Sequence, residues 1–570
     1  MDGRIIVILF FLFFFVVFII LGIRERSKTK QSVKLLISKN WGSSQRRISG
    51  DFQVKASNYS VYYSKKLAQL KPEDYYVDDI TASDLSLDEV FLKLNHTYSA
   101  IGEQYLYKML RIPFASTEKD KFISFVHYFQ DERNEAAAKD IQYIFYQLGK
   151  GKNNDLFKYL DNDNNGKFGI ASELLLYCAY ILSIILIFTN TGAGIIVGIV
   201  SLIVGVLSYF RVKGRLNPFI NPAFYIIKLI STGKKLLPFC DCSDKYFNAT
   251  KENISKLASD LSKASVGASY VFLSANSNKN MFTVIVDYIN MVFHFDIILF
   301  YIINKRLLSL KERVFELYDE LGLMESAVSI ASYRRSLEFY SEPVFSSKDN
   351  FITELTHPLL KDAVRNDLSL DSNLLISGSN ASGKSTYLKA VALNIILAEA
   401  FNTALAREYS MNHYRVYTSM ALRDSLSNGE SFFMAEIKSI KRIIDKIEFC
   451  DIPIIAFIDE ILRGTNTIER IAASGQITAY LNKCNVKCVF ATHDLELTKL
   501  LDNICRNVHF SEDMSGDDVK FTYKLLDGPA DTKNAIKLLK NLGYDSALTE
   551  NASRMAAYYE NNKEWKMINE

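Results

Sequence analysis

The stretch LLISGSNASGKST, Leu374 to Thr386, decides the fold, and the helical pattern YLKAVALNIILAEA follows it at 387–400. A short apolar strand, a glycine turn and a helix stand here in the order that a phosphate-binding P-loop needs. Gly378 and Gly383 let the backbone curl so that successive N–H groups, with the N-terminus of the helix, face phosphate oxygens. Lys384 adds a full positive charge, and Ser385 is placed to hold Mg2+ through its hydroxyl. The candidate nucleotide-binding loop is therefore Gly378, Ser379, Asn380, Ala381, Ser382, Gly383, Lys384, Ser385 and Thr386. The same GxxxxGK[ST] spacing also arises in ordinary glycine-bearing turns, so the surrounding chain has to decide.

Downstream, IPIIAFIDE (Ile452 to Glu460) is an apolar, β-branched run that closes on two carboxylates. A buried parallel strand delivers acids to its C-terminal edge in this way. Asp459 is expected to reach Mg2+, directly or through water, and Glu460 to orient and polarise the attacking water. A third run, CVFATHD (Cys488 to Asp494), ends on Thr492 and His493 at the same edge, where His493 is expected to sense the γ-phosphate. Between these strands the turn Ser427-Asn428-Gly429 opens a helix carrying Glu430, Ser431 and Glu436. Local evidence alone makes it an ordinary capped surface helix; its N-terminus could instead meet a phosphate bound to a second subunit.

In this order the motifs resemble the ATPase domain of the MutS mismatch-repair family. GSNASGKSTYLKAVAL is similar to that family's P-loop, and GESFFMAEI to its serine-bearing motif contributed in trans. FIDEILRGTNT is similar to its Mg2+ strand with the following RGT turn, and FATHDLEL to its switch-histidine segment. THPLL at 356–360 and Asn366-Asp367 resemble the lead-in to the domain; DGPADTKNAIKLLKNLGYDSALTENASRMA resembles its helical dimerisation tail. The resemblance implies ATP and Mg2+ as ligands, a homodimer in which Ser431 completes the partner's site, and DNA as a partner. A weaker likeness reaches LSLDEVFLKLNHTYSAIGEQYLYKMLRIPF, with Gly102 at the family's glycine, and Glu316 to Phe345, so the helical core is split by what lies between. The family's mismatch wedge, Phe-x-Glu in an N-terminal domain, has no counterpart. Phe510-Ser511-Glu512 falls inside the ATPase region and reads as coincidence. Direct mismatch reading is not expected.

Composition and hydropathy add a membrane. A chain of 570 residues, 49% hydrophobic, exceeds one core and leaves apolar residues for lipid. The net charge of +3, from 67 basic and 64 acidic side chains, carries no chain-wide nucleic-acid footprint. Seven cysteines without framework spacing read as reduced thiols, and the pairs Cys240/Cys242 and Cys484/Cys488 lack the second half of a zinc site. Ile5 to Ile23 is an apolar run of 19 residues, long enough to cross a hydrocarbon layer of about 30 Å. Arg24, Arg26, Lys28, Lys30 and Lys34 follow it and place what comes next in the cytoplasm. A second block, Leu174 to Phe210, is broken only at Thr189-Asn190-Thr191-Gly192 and reads as a transmembrane hairpin. Phe282 to Ile303 is interrupted by Asp287, His294 and Asp296; at about 2.5–3.5 kcal/mol per mid-bilayer charge, a buried soluble helix is expected there. Asp161 to Gly166 begins like a calcium loop, but Ser172 stands where the bidentate glutamate belongs, so a polar turn is expected.

The expected architecture is an α/β P-loop NTPase domain of the ABC/MutS type plus a mostly α-helical core with transmembrane helices. Its parts are an anchor at 1–23, a basic linker at 24–80, helical core at 81–165 and 213–345 around a hairpin at 170–212, the ATPase domain at 350–530 and a helical tail at 531–570. Lys384, Ser431, Glu460 and His493 are the candidate catalytic residues, and Ser385 and Asp459 the Mg2+ ligands. The expected protein is a multi-pass plasma-membrane ATPase facing the cytoplasm, with lipid, a second copy and DNA as partners. A membrane-remodelling or signalling ATPase without DNA is the competing reading, because the basic stretch from Arg24 to Arg47 suits anionic lipid as well as a phosphate backbone.

Overall fold

The structure, a computed structural model, describes residues 24–25, 27–44, 56–113, 116–150, 155–161, 171–240, 244–275, 281–379, 382–420, 432–447, 452–462, 465–513, 520–530, 535–562 and 564–568. The expected anchor at 1–23, the polar loop after Asp161, and Ser427 to Ser431 lie outside these. The chain divides into two compact units, one made of Met1–Ala68, Asn95–Lys108 and Ala115–Ser336, the other of Gln69–Leu94, Met109–Phe114 and Leu337–Glu570.

The described part of the first unit is helical. Two long helices, α1 (Ala171–Thr189) and α2 (Thr191–Leu236), form the hairpin. Asn190 between them is extended and accepts a hydrogen bond from Ala193 N, capping α2. Small residues line the seam near the turn: a Cβ on Gly194 would overlap Ile187, and Ser183 Oγ donates to the Gly194 carbonyl at 2.9 Å. Close backbone approach of this kind is how apolar helices associate without a hydrophobic driving force between them. The outer faces expose Leu175, Ile184, Phe188, Ile196, Val204 and Leu207. Both helices are long and apolar enough to cross a membrane.

The single buried helix expected at Phe282–Ile303 is instead two, α3 (Met281–Phe293) and α4 (Phe295–Ser309), bent by 78°. The break falls on His294, which is left-handed with φ 53°. Polar demand explains it: His294 Nδ1 pairs with Glu173, Nε2 donates to the Gly205 carbonyl at 3.0 Å, and both side chains are buried. Asp296 accepts from Tyr209 Oη at 3.0 Å and from Lys213 Nζ at 2.9 Å. Ile285, Tyr288, Ile289 and Phe295 remain exposed, so the pair is not buried on every side as expected. By length and composition it qualifies as a bent third span.

Helix α5 (Lys311–Arg335) is buried on every face from Leu321 to Arg334 and forms the axis of this unit. The stretch expected as a linker is also structured. It is helical over 27–40 and Ala56–Leu67, and Val33 and Ile37, one helical turn apart within the basic run, pack with Tyr98, Tyr143 and Tyr146.

The second unit carries two sheets. The smaller has the order β1–β5–β2–β3, from Val344–Phe345, Glu408–Met411, Phe351–Leu355 and Asn366–Ser369. The larger has the order β10–β9–β4–β8–β7–β6, from Lys520–Asp527, Cys505–Asp513, Asn373–Ser377, Lys487–Thr492, Ile454–Asp459 and Arg415–Ser419. Its strands run parallel except for β10, antiparallel on β9. Strands β4 and β7 are buried at every residue, the pattern of parallel strands covered on both faces. Helices α6 (Lys384–Phe401), α7 (Phe432–Asp445) and α8 (Thr467–Lys483) belong to this unit.

Edge strand β6 does not present bare backbone. Tyr75 Oη accepts from Val416 N at 3.0 Å, Thr81 Oγ1 accepts from Thr418 N at 3.3 Å, and Asp84 Oδ2 accepts from Thr418 Oγ1 at 2.7 Å and Met420 N at 3.0 Å. Residues 73–84 thus cover the edge and block further strand addition.

Candidate nucleotide site

Register brings the three loaded strand ends level. Ser377, the last residue of β4, pairs with Thr492, the last of β8, and Asp459, the last of β7, pairs with Ala491. The loops carrying Gly378, Glu460 and His493 therefore leave the sheet at one edge, where a parallel sheet places its ligands.

The glycine loop leaves β4 through Gly378 at φ 138° and enters α6 through Gly383 at φ 102°, both conformations that side chains avoid. Ser382 N and Oγ donate to the Ser379 carbonyl at 3.2 and 2.8 Å and close the turn. Lys384 is buried, and its ammonium donates to the carbonyls of Gly378 and Ser379, both at 2.7 Å. Ser385 Oγ donates to Asp459 Oδ2 at 2.5 Å, so a hydroxyl and a carboxylate converge at the start of α6.

Glu460 is left-handed at φ 59°, and its N–H bonds to the Ala491 carbonyl at 2.9 Å, which turns its side chain toward the end of β8. There His493 Nδ1 lies 3.1 Å from Glu460 Oε1. That hydrogen bond raises the His493 pKa above the ordinary imidazole range, with partial burial opposing it. The Thr492 hydroxyl accepts from Asp494 N at 3.0 Å and fixes the turn.

A cavity of about 350 Å3 opens beside the loop, lined by Leu355, His357, Val364, Thr386, Tyr387 and Tyr523 among others. Burial pushes the His357 pKa down to about 4, so its ring is neutral at physiological pH. Asn366 shapes the far wall: its amide donates to the Tyr523 carbonyl and accepts from Leu525 N, both at 2.9 Å, across an irregularity in the β9–β10 register. Tyr523 is thereby brought over Gly383, where a Cβ would lie 3.1 Å from its ring.

The family model of MutS domain V matches residues 374–560. This match supports membership in the MutS family through this region alone. Curated relatives named DNA mismatch repair protein MutS agree. The protein from Clostridium botulinum is 30% identical over 247 residues, 40% of this chain and 26% of its own length. Those from Thermotoga sp. and Lactobacillus delbrueckii subsp. bulgaricus are 31% and 32% identical, over 41% and 42% of this chain and 30% and 29% of their own lengths. The chain thus spans less than a third of the length of these relatives.

Within this MutS domain V the structure brings together Gly378, Ser379, Ser382, Gly383, Lys384, Ser385 and Thr386 with Asp459, Glu460 and His493. Asn380, Ala381 and Ser431 lie outside the described residues. The donor set suits Mg2+: a hydroxyl and a carboxylate are hard oxygen donors, and magnesium keeps few protein ligands, leaving the remainder to water and phosphate. Among the described residues no group of three or more His, Cys, Asp or Glu side chains is placed to hold a metal, and Cys240, Cys484 and Cys488 form no disulfide. The cavity beside the loop was not foreseen. Its lining joins 355–366 and 383–390 to Phe510 and Tyr523, and no motif by itself shows that these stretches meet.

Proposed function

We propose that this chain is a membrane-held, Mg2+-dependent ATPase that works as a homodimer and engages DNA in repair or recombination without reading mismatches itself. The observation that carries the ATPase reading is the level register of β4, β7 and β8, which sets Lys384, Ser385, Asp459, Glu460 and His493 around one sheet edge. In this reading the loop N–H groups and Lys384 bind the β- and γ-phosphates, and the cavity walled by Tyr387 and Tyr523 takes the base. Ser385 and Asp459 hold Mg2+, which when bound neutralises charge on the phosphate oxygens. Glu460 accepts a hydrogen bond from the attacking water and orients it, while His493, tied to Glu460, faces the γ-phosphate. These groups serve one side of the phosphate, and Ser431 of a second copy is assigned to the other.

Membrane attachment rests on the hairpin α1–α2, with Arg211, Lys213 and Arg215 in α2 keeping its ends on the cytoplasmic side. The DNA role rests on the family and on its relatives' names. Detergent-purified protein tests the ATPase reading: Lys384→Ala is expected to abolish nucleotide retention, and Glu460→Gln to retain ATP but lose about 100-fold or more in turnover. Wild-type rates in both variants would remove it.

The bent pair α3–α4, with its buried Glu173–His294 contact, favours a second reading in which nucleotide-driven dimerisation moves membrane helices without DNA. Gel-shift assays at low and high salt with duplex, mismatched and branched DNA separate the two. Nucleotide-sensitive retention supports the first reading, and no retention at low salt leaves the second.

A further inference from the structure

His493 is 41% exposed at the end of a strand, and an exposed side chain does not hold one rotamer without help. The help begins one residue later. Asp494 stands at the N-cap position of the helix Leu495–Leu500 but makes no capping bond. Its carboxylate turns away to Arg470, whose Nε reaches Oδ2 at 2.8 Å and whose Nη2 reaches Oδ1 at 2.7 Å. Both side chains are nearly buried, at 12% and 9% exposure. A two-pronged guanidinium–carboxylate contact fixes both distance and plane, which a single-point contact does not. Arg470 rises from the first turn of α8, the helix after β7, and α8 is capped by Asn466, whose side chain accepts from Ile468 N at 2.9 Å. The fork therefore joins the element that follows the Glu460 strand end to the turn that carries His493.

Charge adds a second effect. Asp494 Oδ1 lies 3.6 Å from His493 Nε2, on the side of the ring away from Glu460. An unengaged carboxylate there competes with Glu460 for the imidazole and favours a turned ring. Arg470 occupies both Asp494 oxygens and leaves Glu460 as the short contact of His493, at 3.1 Å.

We infer that Arg470 is a positioning residue for ATP hydrolysis, acting through Asp494 to hold His493 against Glu460. The inference rests on the ATPase reading above. It assigns Arg470 no contact with nucleotide, so its loss is expected to change kcat and leave ATP binding alone.

The test is steady-state ATPase kinetics and nucleotide retention on the detergent-purified full chain. It compares wild type, Arg470→Met, Arg470→Lys, Asp494→Leu, the double variant Arg470→Met/Asp494→Leu, Glu460→Gln and Lys384→Ala. Arg470→Met is expected to lower kcat about 10- to 100-fold with KM for ATP within about twofold of wild type, since small misplacements of reacting groups have effects of that size. Arg470→Lys, which keeps the charge and loses the fork, is expected to fall between. The double variant is expected to be no slower than the slower single variant, because both break one contact. A wild-type kcat for Arg470→Met beside an inactive Glu460→Gln overturns the inference and leaves the ATPase reading standing. Additive losses, or a fall in thermal midpoint and ATP retention with unchanged turnover per bound ATP, also overturn it, since these mark a merely structural residue. Wild-type turnover in Glu460→Gln and in Lys384→Ala alike removes the ATPase reading itself.

Discussion

The carboxylate of Glu325 fills the space that a side chain at Gly102 would need: a Cβ built there falls under 3.0 Å from three Glu325 atoms. The absent side chain lets Glu325 reach the start of the helix Ala100–Arg111. There Oε1 accepts from Tyr98 N at 2.6 Å and Ser99 N at 2.9 Å, and Oε2 pairs with the Ser99 hydroxyl. A residue far along the chain thus pins the segment that enters the helix, while Ser99 Oγ serves as the local cap and accepts from Gly102 N at 3.2 Å. Gly102→Ala is expected to destabilise the helical unit by about 2 kcal/mol or more, the scale of overpacking a buried site, together with lost cap bonds. Thermal unfolding in detergent checks it: a midpoint within a degree of wild type would show that α5 yields freely.

Glu325 also makes stability depend on pH. Burial pushes its pKa up to about 7 from 4.5, against the hydrogen bonds from Ser99 and Tyr98, which favour the charged form. The folded protein therefore holds a proton that the unfolded chain releases in this interval. Its contribution is complete below pH 4.5, declines as pH rises, and is lost above about 7. At roughly 1.4 kcal/mol per unit the full effect is of the order of 3 kcal/mol. The midpoint of wild type relative to Glu325→Gln, which is neutral throughout, is expected to fall between pH 5 and 8. A constant difference would show that Glu325 keeps one protonation state across the range.

What the sequence disclosed follows from which interactions are local. Strands β4, β7 and β8 are continuous apolar runs closing on Ser377, Asp459 and Thr492, so their ends and the loop between Gly378 and Thr386 could be read directly. The bend at His294 was half legible: the polar residues were visible, but the left-handed backbone depends on Glu173 and Gly205, more than 80 residues away. Val33 and Ile37 stand in the apolar run Val33-Lys34-Leu35-Leu36-Ile37, which does not say by itself which side is covered; Leu35 stays exposed, and Val33 and Ile37 became the buried side only against Tyr98 and Tyr143. The cover over β6 was not legible, because it is built from side-chain bonds to backbone more than 300 residues on.

That cover makes a prediction of its own. Asp84 is buried and serves the Thr418 hydroxyl and the Met420 N–H together, and burial raises its pKa against those two bonds. Asp84→Ala leaves two buried donors unsatisfied and is expected to cost about 2–4 kcal/mol, whereas Asp84→Asn keeps an acceptor and is expected to cost less than half of that. The freed edge of β6 also invites pairing between copies. Light scattering during heating is expected to rise earlier for the alanine variant than for the asparagine variant. Equal behaviour of the two would show that Asp84 does not seal this edge.

His294 and Glu173 set the last expectation. The Gly205 carbonyl can only accept, so Nε2 of His294 carries a proton, and the contact between Nδ1 and Glu173 holds one more, on either partner. The pair is neutral as a whole, which is how it tolerates burial at 1% exposure on both sides. Removing one partner exposes the other. Glu173→Leu leaves a buried imidazole without its acceptor and His294→Leu a buried carboxyl without its donor, each expected to cost about 3–5 kcal/mol. The double variant replaces both by apolar groups and is expected to recover most of that loss, since the apolar helices α1, α2 and α3 need no polar bond to pack. Midpoints of the three variants in detergent decide it. If the double variant is as unstable as the sum of the singles, the two side chains act separately, and the 78° bend is held by other contacts.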